Sequence, residues 1–238
     1  IKAFCQYLVR NGVLADNPAD DLPVPRVTRF APRAISPEDV RSLIAIASSD
    51  RSPEGLRDRA MLLTLATTGL RVSELTSLDL DDVDLARGEL VVRRANGRER
   101  RVLLDAEAVQ ALRDYLERVR ALFSPSKTER AVFLNHRGTR LTRQGFWLIL
   151  KGYAEAAGLP DVTPHTLRHS FAVHALANGW DRRDLQRILG HVSPATTQVY
   201  RQLVEQVIQP DGQVPAHAEY FERVPDEQGA ATSRVTER

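Results

Sequence analysis

At 238 residues and 42% hydrophobic content, the chain is long enough for one substantial core and a smaller appendage. Its apolar runs are too short for a bilayer-spanning helix, and its first residues lack the basic, apolar and small-residue order of a secretion signal. The single cysteine, Cys5, excludes an internal disulfide framework, and six histidines scattered without cysteine partners exclude a standard zinc module, so a cytoplasmic protein without metal or cofactor is expected. The net charge is only +2, but residues 209 to 238 hold six acids against three arginines, which leaves +5 on residues 1 to 208. Only Lys2, Lys127 and Lys151 are lysines among 33 basic residues. Positive charge therefore sits on guanidinium groups, which suit bidentate phosphate contacts, although from composition alone a coding bias toward arginine is the better explanation.

In chain order, "IKAFCQYLVRNGVL" carries apolar residues at helical spacing until Asn11 and Gly12 interrupt it. Residues 1–15 are therefore expected to form the last helix of a domain. Pro18, Pro23, Pro25 and Pro32 then read as an extended linker over 16–35, with a domain boundary near residue 33. The main domain, 36–208, begins where Ser36 caps a helix over about 37–48 whose first turn holds Pro37, Glu38 and Asp39. "LRDRAMLLTLATTG" predicts a largely buried helix ending at Gly69, and "RVSELTSL" a short one. "GELVVRRANGRERRVLL" alternates with period two about Asn96-Gly97, the signature of a tight hairpin. With those two residues as the turn, Ala95 pairs with Arg98, Arg94 with Glu99 and Arg93 with Arg100, which puts Arg93, Ala95, Arg98 and Arg100 on one basic face. Helices follow near 106–121, 142–157, 165–178, 181–189 and 194–208. The fold class is mainly α with a small antiparallel β-hairpin (α+β). Residues 209–238 read as a tail, partly disordered or docking onto a neighbouring molecule.

Three stretches carry candidate chemistry. In "VTPHTLRHSFAVHAL", His165 and Arg168 share one face near a helix N-terminus, where an anion sits well; a solvated polar face is the bland alternative. In "TTGLRVSEL", Arg71 follows a helix stop and Glu74 can hold its guanidinium, as an ordinary surface pair also does. In "LGHVSPATTQVY", His191 follows the helix-ending Gly190, and Tyr200 lies at the margin of the next helix's apolar stripe. Taken alone, Tyr200 reads as a packed aromatic before it reads as a nucleophile.

Taken together the pieces make a constellation. Two guanidiniums clamp the charge that grows on an attacked phosphodiester, histidines hydrogen-bond or move protons near neutral pH, and a deprotonated phenol attacks phosphorus to leave a covalent link. "TGLRVSEL", "HTLRHSFAVHAL" and "LGHVSPATTQVY" resemble, in order and spacing, the signature boxes of the tyrosine recombinase (phage integrase-like) family, nearest its bacterial Xer type. The resemblance spans about residues 34 to 206. It implies Arg71 and Arg168 as the phosphate clamp, His165 and His191 as proton-handling partners, Tyr200 as nucleophile, and Glu74 and His169 as supporting residues. It further implies the tyrosine recombinase catalytic-domain fold, double-stranded DNA as partner, a homo- or hetero-tetramer on DNA, a nucleoid-associated location and no cofactor. The opening helix resembles the end of the family's N-terminal core-binding domain.

One box departs from the pattern. The family places a general-acid lysine within a "GKGNKER"-like hairpin turn, whereas this chain has "RANGRER", and the lysine's position falls on Ala95. Arg98, or Arg94 with a one-residue register change, is the nearest substitute, but guanidinium holds its proton too tightly to donate it well. Arg93, Arg98 and Arg100 are expected to contact DNA. Three alternatives accompany the recombinase reading: a catalytically weakened DNA-binding accessory homologue, a type IB-like relaxing topoisomerase, and an unrelated helical protein in which these residues are structural.

Overall fold

The computed structural model describes residues 1–22, 34–93, 97, 99–123 and 128–190. The chain divides into two compact units, Ile1–Ala31 and Pro32–Arg238. In the first, helix α1 (Lys2–Arg10) ends at Asn11, whose side-chain amide donates to Tyr7 O at 2.8 Å, and Gly12 turns the chain with φ 70°. Residues 17–22, expected as extended linker, instead form successive turns. Asn17 causes this: its Oδ1 accepts from the Ala19 N–H at 3.0 Å, the local bond that lets Asn compete with extended backbone.

The second unit is mostly helical around one enclosed element. Helix α2 (Pro37–Ser49) opens on a reciprocal cap in which Ser36 Oγ accepts from the Asp39 N–H at 3.0 Å and Asp39 Oδ2 accepts from the Ser36 N–H at 3.3 Å. Helix α3 (Pro53–Thr68) is enclosed along most of its length: Ala60, Met61, Leu62, Leu63 and Leu65 are fully buried, and Arg57 and Asp58 are buried as an ion pair. It packs against α2, α4 (Val72–Ser77), α5 (Ala106–Arg118) and α8 (Pro164–Ala177). The expected single helix over 106–121 breaks at Val119, and α6 (Arg120–Phe123) follows; the break buries Val119 and lets Arg120 donate to the carbonyls of Glu129 and Ala131, each at 2.7 Å. Helices α7 (Arg143–Ala156), α8 and α9 (Arg182–Leu189) start and stop within two residues of expectation, each on a side-chain cap from Thr142, Thr163 or Asp181. Helix α8 also joins α9 in a second apolar cluster of Phe171, Val173, Leu185 and Leu189.

The sheet has three antiparallel strands in the order β1 (Val83–Asp84), β2 (Glu89–Arg93), β3 (Glu99–Leu103). The two-residue strand β1 is too short to leave a period-two signal in the sequence. The hairpin register differs by one residue from the Asn-Gly expectation: Arg93 lies opposite Glu99 and Val92 opposite Arg100. Five residues, 94–98, thus connect the strands, and of these only Gly97, with φ 75°, is described. Apolar alternation decides the register, because it sets Leu90 against Val102 and buries both together with Val92; a slip of one would expose Val102. Arg93 and Arg100 therefore point to opposite faces of the sheet. The single basic face expected from a two-residue turn does not form from these two residues, while Arg94, Ala95 and Arg98 lie outside the described residues.

Among the described residues no helix is long and apolar enough to cross a membrane, and no group of His, Cys, Asp and Glu side chains is arranged to hold a metal ion.

Candidate active site

Gly69 brings the site together. It ends α3 in the left-handed conformation (φ 61°), and a Cβ built on it would lie 2.4 Å from Phe171 Cδ1 and 2.9 Å from Leu189 Cδ2. Only a residue without a side chain lets the end of α3 approach α8 and α9 this closely. The chain then turns so that Arg71 sits at the N-cap of α4, its backbone N–H donating to Glu74 Oε2 at 2.8 Å.

Arg168, on α8, is 5% exposed. Its Nη1 donates to Gly69 O at 2.5 Å and its Nη2 to Leu189 O at 2.7 Å, so the guanidinium plane is fixed by the ends of two helices. Both acceptors are helix-terminal carbonyls, the negative end of the helix dipole and a natural seat for a cation. Arg71 reaches the same Leu189 O from α4, Nη1 at 3.5 Å, and the same nitrogen lies 3.3 Å from Glu74 Oε1. Two arginines far apart in sequence thus meet at the last residue of α9, immediately before Gly190 and His191.

The third guanidinium was expected on DNA and is found inside. Arg100 projects from the core face of β3 and grips Glu74 with both forks, Nη1 to Oε1 at 2.7 Å and Nη2 to Oε2 at 2.8 Å, while its Nε donates to Ile188 O at 2.7 Å. The side chains of Glu74 and Arg100 are only 8% and 10% exposed, against 41% for Arg71. Burial pushes the Glu74 carboxyl upward, but the Arg100 hydrogen bonds, the Arg71 N–H and both positive charges outweigh it and hold the group at about 2. Glu74 therefore remains ionised across the physiological range.

Helix α8 supplies two more of the expected residues. His165, at its start, is exposed, and its ring centroid lies 6.4 Å from that of half-buried His169. Burial, and then the neighbouring His165 and Arg168, push His169 down to about 4, so it is neutral at pH 7. Three residues apart on α8, His165 is exposed and Arg168 is buried. His191 and Tyr200 lie outside the described residues.

Arg93, the other hairpin arginine assigned to DNA, is bound on the outer face by Asp82 and by Glu99 Oε1, the latter at 2.9 Å. Two long-range contacts escape sequence reasoning altogether. Ser170 Oγ accepts from the Ile35 N–H at 2.9 Å, and His174 Nε2 lies 3.0 Å from Ile35 O, so two side chains one turn apart on α8 hold both backbone groups of one residue. No local signal marks a pair 135 and 139 residues from its partner.

The architecture has close relatives. A phage integrase family profile matches residues 33–206. The chain is 50% identical over 200 residues to a tyrosine recombinase XerC of Herpetosiphon aurantiacus, covering 84% of this chain and 65% of that protein. It is 44% identical over 203 residues to a tyrosine recombinase XerD of Listeria innocua, covering 84% and 68% respectively. The crystal structure of XerA recombinase superposes with a TM-score of 0.65 at 32% identity, covering 87% of this chain and 81% of that one. A helical domain with a small three-stranded antiparallel sheet is thus the catalytic-domain architecture of the tyrosine recombinases. The chain belongs to the phage integrase family. It spans 65% of the length of the XerC relative and 68% of that of the XerD relative.

Proposed function

We propose that this chain is the DNA-cleaving part of a site-specific recombinase. The observation that carries the proposal is the convergence of Arg71 and Arg168 on Leu189 O, because it gathers two guanidiniums beside the segment that leads to His191 and Tyr200. In this reading Arg71 and Arg168 clamp a scissile phosphate of duplex DNA, and His165 and His191 hydrogen-bond to it or move protons. The Tyr200 phenolate attacks phosphorus. The bond from Tyr200 oxygen to phosphorus forms as the bond to the 5′-oxygen breaks, which leaves a 3′-phosphotyrosyl link and, after protonation, a free 5′-hydroxyl. A 5′-hydroxyl from a partner duplex reverses the step and joins the strands in a Holliday junction. The covalent link conserves the bond energy, so no nucleotide cofactor enters. Glu74 and His169 support the clamp, and the working assembly is a tetramer on nucleoid DNA, with part of residues 206–224 docked onto a neighbour.

Ala95 favours a second reading, a weakened recombinase that binds DNA and cuts slowly, because the leaving 5′-oxygen then lacks the lysine that would protonate it. One assay separates the two. On a nicked suicide substrate the parent is expected to form a covalent adduct that Tyr200→Phe does not, and Ala95→Lys is expected to raise its yield. Equal adduct from the parent and Tyr200→Phe would sink the nucleophile assignment. Undiminished DNA binding with no adduct from the parent would establish the accessory role, and relaxation of supercoiled plasmid without a preferred site would favour a topoisomerase.

A further inference from the structure

We infer that Arg100 is a positioning residue for the strand-transfer site rather than a DNA contact; this rests on the reading of Tyr200 as the nucleophile. Three nitrogens of Arg100 are each committed to the protein: Nη1 and Nη2 to the two oxygens of Glu74, and Nε to Ile188 O. Arg100 lies on the core face of β3, where a carboxylate holds both its terminal nitrogens and cancels its charge, whereas those of Arg168 rest on carbonyls.

Its two attachments lead to the two halves of the site. Through Glu74 it reaches Arg71: the carboxylate that Arg100 grips also accepts the Arg71 backbone N–H at 2.8 Å and lies 3.3 Å from Arg71 Nη1. Held from behind by a bidentate pair, Glu74 keeps one orientation, and Arg71 keeps the position from which it meets Arg168. Through Ile188 O it reaches the end of α9, one residue before the carbonyl that Arg168 and Arg71 share and two before Gly190, where the chain turns in the left-handed conformation toward His191. The hairpin strand thus ties the phosphate clamp and the approach to Tyr200 to one side chain. A lysine cannot do both, because a point charge on a flexible stem has no fork with which to grip two oxygens while bonding a carbonyl beside them.

The test compares Arg100→Ala, Arg100→Lys and Glu74→Gln with the parent, using a nicked suicide substrate under single-turnover conditions at saturating DNA. Arg100→Ala is expected to slow adduct formation on the order of 10²-fold. DNA affinity and its salt slope should stay parental, and guanidinium chloride at low concentration should restore part of the rate. Arg100→Lys and Glu74→Gln should each lose part of the rate, and the double variant should lose no more than the worse single variant, since both act through one link. Hydrogen exchange at the Leu189 and Gly190 amides reads the tie without chemistry and should quicken in Arg100→Lys, the substitution most compatible with folding. A parental cleavage rate in Arg100→Ala, or a salt slope lowered by about one, would show a bystander or a phosphate contact instead. Multiplying losses in the double variant, or unchanged exchange at α9, would equally overturn the inference. Failure of the nucleophile reading looks different: the parent then forms no adduct, while exchange at α9 still responds to Arg100.

Discussion

Two arginine clusters on the second unit are built from the same residue types and are matched oppositely. At the junction of α4, α8, α9 and β3, Arg71 and Arg100 share one carboxylate, Glu74, and Arg71, Arg100 and Arg168 each reach a backbone carbonyl at a helix end. Along the edge formed by residues 79–84 and the hairpin, Arg93, Arg130 and Arg140 face Asp82, Asp81 and Asp79, and Glu99 adds a fourth acid. A carbonyl orients a cation without cancelling it, whereas a carboxylate cancels it. Among the described residues the first cluster thus pairs two of its guanidiniums with one carboxylate, and the second pairs three with four. Arginine content alone says nothing of this, because the difference lies in what each fork holds.

The sharpest way to break the comparison is to remove the arginine at the centre of the first cluster. Arg168→Ala is expected to lower single-turnover cleavage on the order of 10²–10³-fold, the usual cost of losing one donor to a developing oxyanion. Arg140→Ala, in the second cluster, should leave cleavage unchanged. A comparable loss from both variants would mean that the difference between carbonyl-held and carboxylate-held arginines has no functional meaning.

Next in size is a change that touches no charge. Gly69→Ala must place a side chain in the left-handed conformation and drive its Cβ against Phe171 and Leu189. The strain and the overpacking together are expected to cost about 2–4 kcal/mol of folding stability. Equilibrium denaturation measures it. A loss under about 1 kcal/mol would show that α8 and α9 yield more readily than a close-packed junction should.

Acid should weaken the fold first through His169. His169 is neutral in the fold down to pH of about 4, while in the unfolded chain it takes a proton from about 6.5 downward. Between those values the unfolded state binds more protons, so folding stability is fully present above about pH 6.5 and falls as the pH drops toward 4. Glu74, held at about 2, contributes stability above about pH 4.5 that is lost below it. His169→Gln should flatten the slope of stability against pH between 6.5 and 4.5, and an unaltered slope would remove His169 from the acid response.

What the sequence made legible follows from how local each determinant is. Helix ends were readable because their causes lie within four residues: Ser36 with Asp39, Gly69 past α3, and Gly190 past α9. The order and type of the main elements followed from these stops and from apolar spacing. The hairpin register was not readable from its turn, since Asn96-Gly97 suggested two residues while the burial of Leu90, Val92 and Val102 selected five. That error moved Arg100 to the wrong face and hid its bond to Glu74. Alternation along β2 and β3, weighed above the turn rule, would have placed Arg100 on the core side. The anchoring of Ile35 by Ser170 and His174 had no such signal, because it depends on the packed fold.

The smallest expected effect belongs to Arg93, and it tests the comparison from its weaker side. Arg93 was expected on DNA together with Arg98 and Arg100; it is half exposed at the end of β2, and a phosphate contact there would contribute about one unit to the slope of log affinity against log salt. Its guanidinium is bound by Asp82 and Glu99, however, and a phosphate would have to displace one of them or accept their repulsion. Arg93→Ala is therefore expected to leave the salt slope within about half a unit of the parent. Glu99→Gln sharpens the point, since loosening one acid should let Arg93 reach a phosphate and steepen the slope. If Arg93→Ala lowers the slope by a full unit while Glu99→Gln leaves it unchanged, the acids of the second cluster orient Arg93 toward DNA rather than withholding it.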